Sequence, residues 1–463
     1  MTEMFKTYSP IDDSVYAERY FASEVEIQRA LKKAEGAIRP WRLTPLSTRE
    51  QYCTRAIEAL LSNKAKIAEE ICWQMGRPIR YAASELTGLE ERARYMIAHA
   101  KEALLPIHLP EKSGFVRYIT REPLGIVFVI APWNYPYLTA INTIIPAIMA
   151  GNVVLLKHSA QTPLVAERFA EAFNQAELPA GVFQYLHLTH ADTEKMIRTA
   201  PIHHVAFTGS VAGGAMVERA AAGRFLSIGL ELGGKDPAYV RADAPLDYAV
   251  ETVIDGAFFN SGQSCCGIER IYVHHSLFNP FVSKAVTLVN QYKLGRSDDE
   301  TTTLGPLVRR EAADVVRAQI QDALDQGAVA HIDREHFSKD VLGPAYIAPQ
   351  ILTNVNHRMR IMTEETFGPV IGIMSVRDDQ EAISLMNDSD YGLTAAIFTK
   401  DLTTGIEIGE QLQTGTFFIN RCDYLDPALA WTGIKKSGRG CTLSTIGYES
   451  LTRPKSFHIK KIE

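Results

Sequence analysis

The stretch Leu124-Gly125-Ile126-Val127-Phe128-Val129-Ile130-Ala131-Pro132-Trp133-Asn134-Tyr135-Pro136 decides the fold class of this chain. Residues 124–130 form a continuous apolar run. A run that short and that apolar reads as a strand buried on both faces. Residues 153–156, 205–207 and 225–230 repeat the pattern. Helical stretches lie between them, such as 163–176, where Thr162 stands as a cap and Pro163 takes the first position. Strands alternating with helices predict an α/β fold on a parallel sheet. A second α/β region runs from about 236 to 435, with its clearest strands at 268–273, 395–399 and 416–420.

The flanks read differently. The first hundred residues are predicted to be helical. Ser23 followed by Glu26 is a capping-box signal, and Ser47 followed by Glu50 repeats it. Residues 114–121 predict a protruding strand pair. The tail, 456–462, alternates Phe457, Ile459 and Ile462 with His458, Lys460 and Lys461. Such a half-apolar terminal strand suits pairing with another chain.

At 463 residues the chain exceeds one ordinary core, so two or three domains are expected. Its net charge of -6 and lack of a basic cluster argue against nucleic acid and anionic membrane as partners. The most apolar segment, 140–156, is broken by Asn142, Pro146, Gly151 and Asn152, and reads as a buried helix, turn and strand rather than a membrane span. No signal-peptide pattern opens the sequence. The six cysteines show no C-x-x-C spacing, so no metal site is expected and a reducing, cytoplasmic setting fits.

Four motifs carry candidate chemistry. Pro132-Trp133-Asn134-Tyr135-Pro136 is a rigid loop at a strand's carboxyl end, where the Asn134 amide could serve an oxyanion or cap backbone. Phe207-Thr208-Gly209-Ser210, with Gly213 and Gly214 beyond, is a strand-to-helix turn that suits an anion or is simply tight. Glu231-Leu232-Gly233-Gly234-Lys235 places a carboxylate at a strand end, as a general base or as a partner for Lys235. Glu364-Glu365-Thr366-Phe367-Gly368-Pro369 holds a sugar hydroxyl pair or is a solvated acidic turn. Between the last two lies Asn260-Ser261-Gly262-Gln263-Ser264-Cys265-Cys266, a thiol pair after a flexible turn.

In this order, with Lys157 between the first two, the motifs resemble the aldehyde dehydrogenase superfamily from about residue 20 to 460. The resemblance implies an α/β fold with a Rossmann-type cofactor domain (1–112 and 123–235), an α/β catalytic domain (236–435), and a small β oligomerisation arm (113–122 and 436–463). It implies NAD(P)-dependent, non-acylating oxidation of a small-molecule aldehyde, with NAD expected and NADP possible, by a homodimer or dimer of dimers. Gly-Gln-x-Cys maps onto Cys265 as nucleophile, with Asn134 as oxyanion donor and Glu231 as general base. Trp133, Lys157, Gly209, Ser210, Gly214, Glu365 and Phe367 are the implied cofactor residues. Tyr135, Leu138, Asn142, Ser264, Cys266 and Trp431 are the implied substrate pocket.

Some positions depart from the family pattern. Lys157-His158-Ser159-Ala160 lacks the family's acid at 160, which leaves the choice of NAD or NADP open. Gly440-Cys441-Thr442 replaces Gly-Arg-Glu. Semialdehyde relatives commonly carry arginine where this chain has Asn142, which argues against a carboxylated substrate, although Lys157-His158 and Ile434-Lys435-Lys436-Ser437-Gly438 are similar to one bacterial semialdehyde subgroup, so semialdehyde specificity stays an alternative. Tyr135 and Trp431, with Asp423 or Asp426, resemble an aminoaldehyde pocket, while a neutral apolar tunnel is the simplest reading. An acylating enzyme, a cysteine hydrolase using His203, His204, His274 or His275, and a non-enzymatic binding protein are the competing functions.

Overall fold

The computed structural model describes residues 3–340 and 344–462. Its first sheet has six strands in the order Gly438–Arg439, Ser227–Glu231, His204–Thr208, Ile126–Ala131, Val153–His158 and Phe183–Tyr185. All neighbours are parallel except the first pair. The earliest of these strands, Ile126–Ala131, lies inside the sheet. Later strands are added first on one side of it and then on the other. Its carboxyl end is therefore a switch point, where the diverging connections leave a crevice. Both the Pro132 loop and the Gly209 turn open into that crevice.

The second sheet has seven strands, in the order Val329–Ala330, Gln350–Thr353, Val370–Val376, Ile268–His274, Asp236–Val240, Thr394–Phe398 and Thr416–Ile419. Successive residues of its strands feed two separate cores, as the period of two requires. Ala238, Ile271, Ile373 and Phe398 enter one core, and Tyr239, Tyr272, Val370 and Ile397 the other. Fully apolar strands are thus explained by helices on both faces.

Helices cover the first sheet as expected from Glu24 onward. Ser23 makes the full capping box with Glu26. Trp41, at 1% exposure, donates its indole N–H to the Ile148 carbonyl at 3.1 Å and so docks the first helix on the buried one. The apolar segment is a helix, Pro136–Ala150, then a turn at Gly151 and a strand, with no membrane-spanning geometry. Among the described residues no helix is long and apolar enough to cross a membrane.

Four local readings need correction. The chain opens with a β-hairpin, Met4–Tyr8 with Val15–Tyr20, not with a helix. Ser47 caps nothing, because the helix already begins at Leu46 after Pro45. Pro163 does begin its helix, but the Thr162 hydroxyl binds the His158 ring at 3.1 Å and makes no cap. The strand pair at 114–121 is part of a three-stranded sheet, in which Thr452–Lys460 pairs along its whole length with Phe115–Pro123 of the same chain. One edge of the tail strand is thereby used internally.

The buried Asn152 ties this terminal region to the sheet. Its Oδ1 accepts from the Gly125 N–H at 2.9 Å and its Nδ2 donates to the Leu451 carbonyl at 2.9 Å. Asn152→Leu would strand both backbone groups at a cost of about 1–3 kcal/mol each. A lowered unfolding midpoint in urea is expected, and an unchanged midpoint would contradict the assignment.

Candidate active site

Cys265 lies just before the strand Ile268–His274, in the turn that follows a 3-10 segment, Phe259–Gly262. Gly262 has φ 73°, and a Cβ there would lie 2.3 Å from the Gly368 carbonyl, so a glycine is needed for the chain to pass. Asn260 and Ser261 also adopt positive φ, 54° and 57°. The turn is thus held in a conformation that its neighbours must stabilise.

Those neighbours are led by Arg77, a residue that the sequence reading did not single out. Arg77 is 1% exposed and pairs with the buried Glu85. Its Nε donates to the Asn260 side chain at 3.0 Å, and its Nη2 donates to the Asn134 carbonyl at 2.7 Å. The guanidinium also lies 4.5 Å from the Tyr135 ring centre. Glu85 accepts from the backbone N–H groups of Tyr137 and Leu138 at 2.7 and 3.2 Å. A carboxylate at that helix N-terminus is favoured by the helix dipole as well. One ion pair therefore fixes the Asn134 loop, the next helix and the cysteine turn together. The Asn134 amide donates to the Gln263 carbonyl at 3.2 Å, which leaves its second N–H for another acceptor.

Two cavities meet at the thiol. One is lined by Arg92, Tyr135, Leu138, Asn142, Ser264, Cys266, Asp423 and Trp431 among others, and it contains every expected substrate-pocket residue. The other is lined by Trp133, Asn134, Gly209, Ser210, Glu365 and Phe367 among others. Cys265, Glu231, Thr139 and Thr208 line both.

The two cysteines differ. Cys265 is partly exposed, whereas Cys266 is 4% exposed. Cys266 donates to Asp423 Oδ1 at 3.1 Å, and Ser264 donates to the same oxygen at 2.8 Å. Hydrogen bonding to Cys265, then burial, push the Cys266 thiol well up, so it holds its proton. Burial pushes the Asp423 carboxyl up to about 6.

Glu231 does not pair with Lys235. Lys235 instead reaches Glu269 at 2.6 Å and the Thr366 hydroxyl at 2.9 Å. Burial raises the Glu231 carboxyl, opposed by hydrogen bonds from Thr442 and Thr208 and by the charge of Arg92. Thr442 donates to Glu231 Oε1 at 2.6 Å, and Thr208 to Oε2 at 3.3 Å. Thr442, one of the departures from the family pattern, thus orients the Glu231 carboxylate and favours its ionised form.

The second cavity suits a nicotinamide dinucleotide. It sits at the switch-point crevice, and its turn opens the helix Val211–Ala221, capped by the Ser210 hydroxyl accepting from Gly213 N–H at 3.2 Å. Backbone N–H groups and a helix N-terminus suit a pyrophosphate. Glu365 accepts from the Gly234 N–H at 3.0 Å, and a Cβ on Gly233 would lie 2.3 Å from its carboxylate, so the glycine leaves the acid room. Burial lifts Glu365 to about 7. Glu269 holds the adjoining turn by accepting from the Thr366 and Phe367 N–H groups, and Phe367 meets Trp133 edge-on at 5.7 Å. Glu364, by contrast, pairs with Arg360 on the surface.

Two expected cofactor residues are not in the lining. Gly214 packs under Leu232, whose side chain would lie 2.7 Å from a Cβ there. Lys157 is the penultimate residue of the strand Val153–His158, alongside Ile130, and burial lowers its ammonium to about 8. Next to it, buried His158 bridges the Pro136 carbonyl and Thr162, each at 3.1 Å.

No histidine lines either cavity, which removes the Cys–His hydrolase reading. Buried His204 binds Ser227, and His274 binds Ser276. Among the described residues no group of histidines, cysteines or acids could hold a metal ion.

The aldehyde dehydrogenase family model matches residues 1–457. The chain belongs to the aldehyde dehydrogenase family. It is 34% identical to a succinate-semialdehyde dehydrogenase [NADP(+)] of Deinococcus radiodurans over 97% of this chain and 94% of that protein. It is 32% identical to the succinate semialdehyde dehydrogenase [NAD(P)+] Sad of Escherichia coli, over 92% of each. Among solved structures, betaine aldehyde dehydrogenase from Staphylococcus aureus in complex with NAD+ superposes with TM-score 0.93 at 27% identity, covering 99% of this chain and 92% of that one. The enzyme is an NAD(P)-dependent aldehyde dehydrogenase, with an aldehyde as its substrate.

Arg77→Met would leave Glu85 buried and unpaired, at about 3–5 kcal/mol, and a second change, Glu85→Gln, should recover part of that loss. Thermal unfolding checks both; a single variant as stable as the wild type would contradict the role. Thr442→Val removes a hydrogen bond to ionised Glu231. Its raised carboxyl should rise further, moving the acid limb of the kcat–pH profile to higher pH. An unmoved limb would contradict the assignment.

Proposed function

We propose that this enzyme oxidises its aldehyde through a covalent thioester on Cys265, hydrolysed with Glu231 as general base. The observation that carries the reading is the placement of Cys265 and Glu231 together where the two cavities meet. The Cys265 sulfur attacks the aldehyde carbon, a C–S bond forms, and the carbonyl electron pair moves to oxygen. That oxygen faces the Asn134 side-chain N–H and the Cys265 backbone N–H. As the oxyanion's electron pair returns to carbon, the C–H bond breaks and its hydride leaves, giving the thioester on Cys265; NAD(P), when bound in the second cavity, would supply the hydride acceptor. Gly209 and Ser210 would hold its pyrophosphate, and Gly214 keeps their helix close to the sheet. Lys157 would reach the adenosine ribose, Glu365 would hold the nicotinamide ribose, and Trp133 and Phe367 would wall the cleft. Glu231 then takes a proton from water, which attacks the thioester; the C–S bond breaks, and the acid leaves with the thiol restored. Thr442 and Thr208 aim the base.

Cys266 stays protonated on Asp423 and shapes the pocket. Glu231 separates this chain from acylating relatives, which typically lack that base. The division into cofactor domain (1–112, 123–235), catalytic domain (236–435) and oligomerisation segments (113–122, 436–463) is supported by the two sheets and the tail pairing, with Gly438–Arg439 of the last segment adding an edge strand to the first sheet. The half-apolar outer edge of the tail strand supports a homodimer or dimer of dimers. Six unpaired cysteines are consistent with the cytoplasm.

Cys265→Ser should lower aldehyde oxidation by at least about a thousandfold while NAD(P) still binds. Retained turnover would overturn the nucleophile, and a total loss in Cys266→Ser would exchange the two thiols. Glu231→Gln should give one burst of NAD(P)H and then stall. A steady rate equal to wild type would remove Glu231 from the mechanism.

A further inference from the structure

Arg92 is the least explained charge in the molecule. It lies on the helix Ser84–Ala103, yet it is 9% exposed and lines the substrate cavity with Cys265. Only its Nη1 has protein acceptors, the Leu138 carbonyl and Asn142 Oδ1, each at 3.3 Å, at the long end for such a bond. Its Nε and Nη2 have no acceptor from the described residues, and no carboxylate forms an ion pair with it. Glu85, on the same helix, is committed to Arg77. A guanidinium keeps its charge, and a charge withdrawn from water without a partner is costly. Burial lowers its basicity, and the neighbouring Cys266, Glu231, Glu85 and Cys265 oppose that shift without forming a hydrogen bond to it.

Three acids also line this cavity. Asp423 already accepts from Ser264 and Cys266. Glu231 is held by Thr442 and Thr208. Glu91, which is exposed, accepts from the hydroxyl of half-buried Tyr424 at 2.9 Å. Each acid therefore has a donor, and the guanidinium is the group left wanting a partner. Leu138, Phe259, Leu425 and Trp431 supply apolar wall.

We propose that Arg92 is the specificity-determining residue of this pocket and grips a carboxylate at the far end of a short aldehyde chain. The proposal rests on the oxidation reading above and names its substrate class. A carboxylate matches the forked donors of a guanidinium, and Asn142 and the Leu138 carbonyl orient that fork. The cation thus comes from the helix Ser84–Ala103, and the absence of arginine at position 142 no longer argues against a carboxylated substrate.

The test compares 4-oxobutanoate, butanal and 4-aminobutanal with wild type, Arg92→Gln and Arg92→Lys. Wild type should favour 4-oxobutanoate. Arg92→Gln should raise its KM about 10- to 100-fold, the worth of a hydrogen bond to a charged group, while the KM for butanal stays within a few-fold and any change in kcat, through the lost charge near Glu231, is the same for both substrates. Arg92→Lys should recover part of the loss. Equal changes in KM for butanal and 4-oxobutanoate, or a wild-type preference for butanal or 4-aminobutanal, would overturn the proposal. A turnover-free arm separates it from the oxidation reading. Succinate should slow iodoacetamide alkylation of Cys265 in wild type and not in Arg92→Gln, read by mass spectrometry. Protection seen without any aldehyde turnover would sustain the anion site while the oxidation reading fails. No protection in wild type would overturn the anion site. If Arg92→Gln does not fold, Arg92→Lys and the wild-type arms decide.

Discussion

The buried pair Arg77–Glu85 is the constraint on which the site depends. Cys265, Asn134 and Glu231 come from three distant parts of the chain, and no single element could align them. Arg77 touches the Asn134 carbonyl, the Asn260 side chain and the Tyr135 ring, while Glu85 holds the start of the next helix. A buried ion pair is a poor route to stability in itself. Here its value is geometric, because every donor and acceptor on it belongs to a segment that carries site residues. The positive φ angles at Asn260 and Ser261 show what such a scaffold must hold in place.

The same logic explains how the site divides its labour. Glu231 and Glu365 are both acids raised by burial, but their partners differ. Glu231 has two hydroxyl donors and a nearby guanidinium, and it lines both cavities with Cys265. Glu365 has one backbone donor and faces the nucleotide cleft. The vicinal cysteines are sorted in the same way. Cys266 is buried and bound to Asp423, and Cys265 is left open to both cavities. Chemistry follows the environment of each group more than its type.

Much of this was legible in the sequence, for a physical reason. Asn134, Gly209, Ser210 and Glu231 stand at the ends of short apolar strands, where a polar residue is conspicuous and the fold puts its cleft. Arg77, Glu85 and Arg92 lie in the helical first hundred residues, where charges at helical spacing look like a solvated face. Only the packing of those helices on Pro136–Ala150 shows that these charges point inward. Thr442 stood out as a departure, but its partner, Glu231, is far off in the chain. The opening hairpin was missed because its alternation is weak: Lys6, Glu18 and Arg19 share it with Phe5 and Ala17. Lys157 and Gly214 were read by motif alone; they stand beside Ile130 and beneath Leu232, outside the lining of the second cavity.

The central claim is that Cys265, not its neighbour, carries the substrate through the reaction. Acid-quenching the wild-type enzyme during its first turnover with aldehyde and NAD(P), followed by fragmentation of the peptide that contains both thiols, tests this most directly. The acyl mass should appear on Cys265 and on no other residue. An acyl group on Cys266, or turnover with neither thiol modified, would contradict the account.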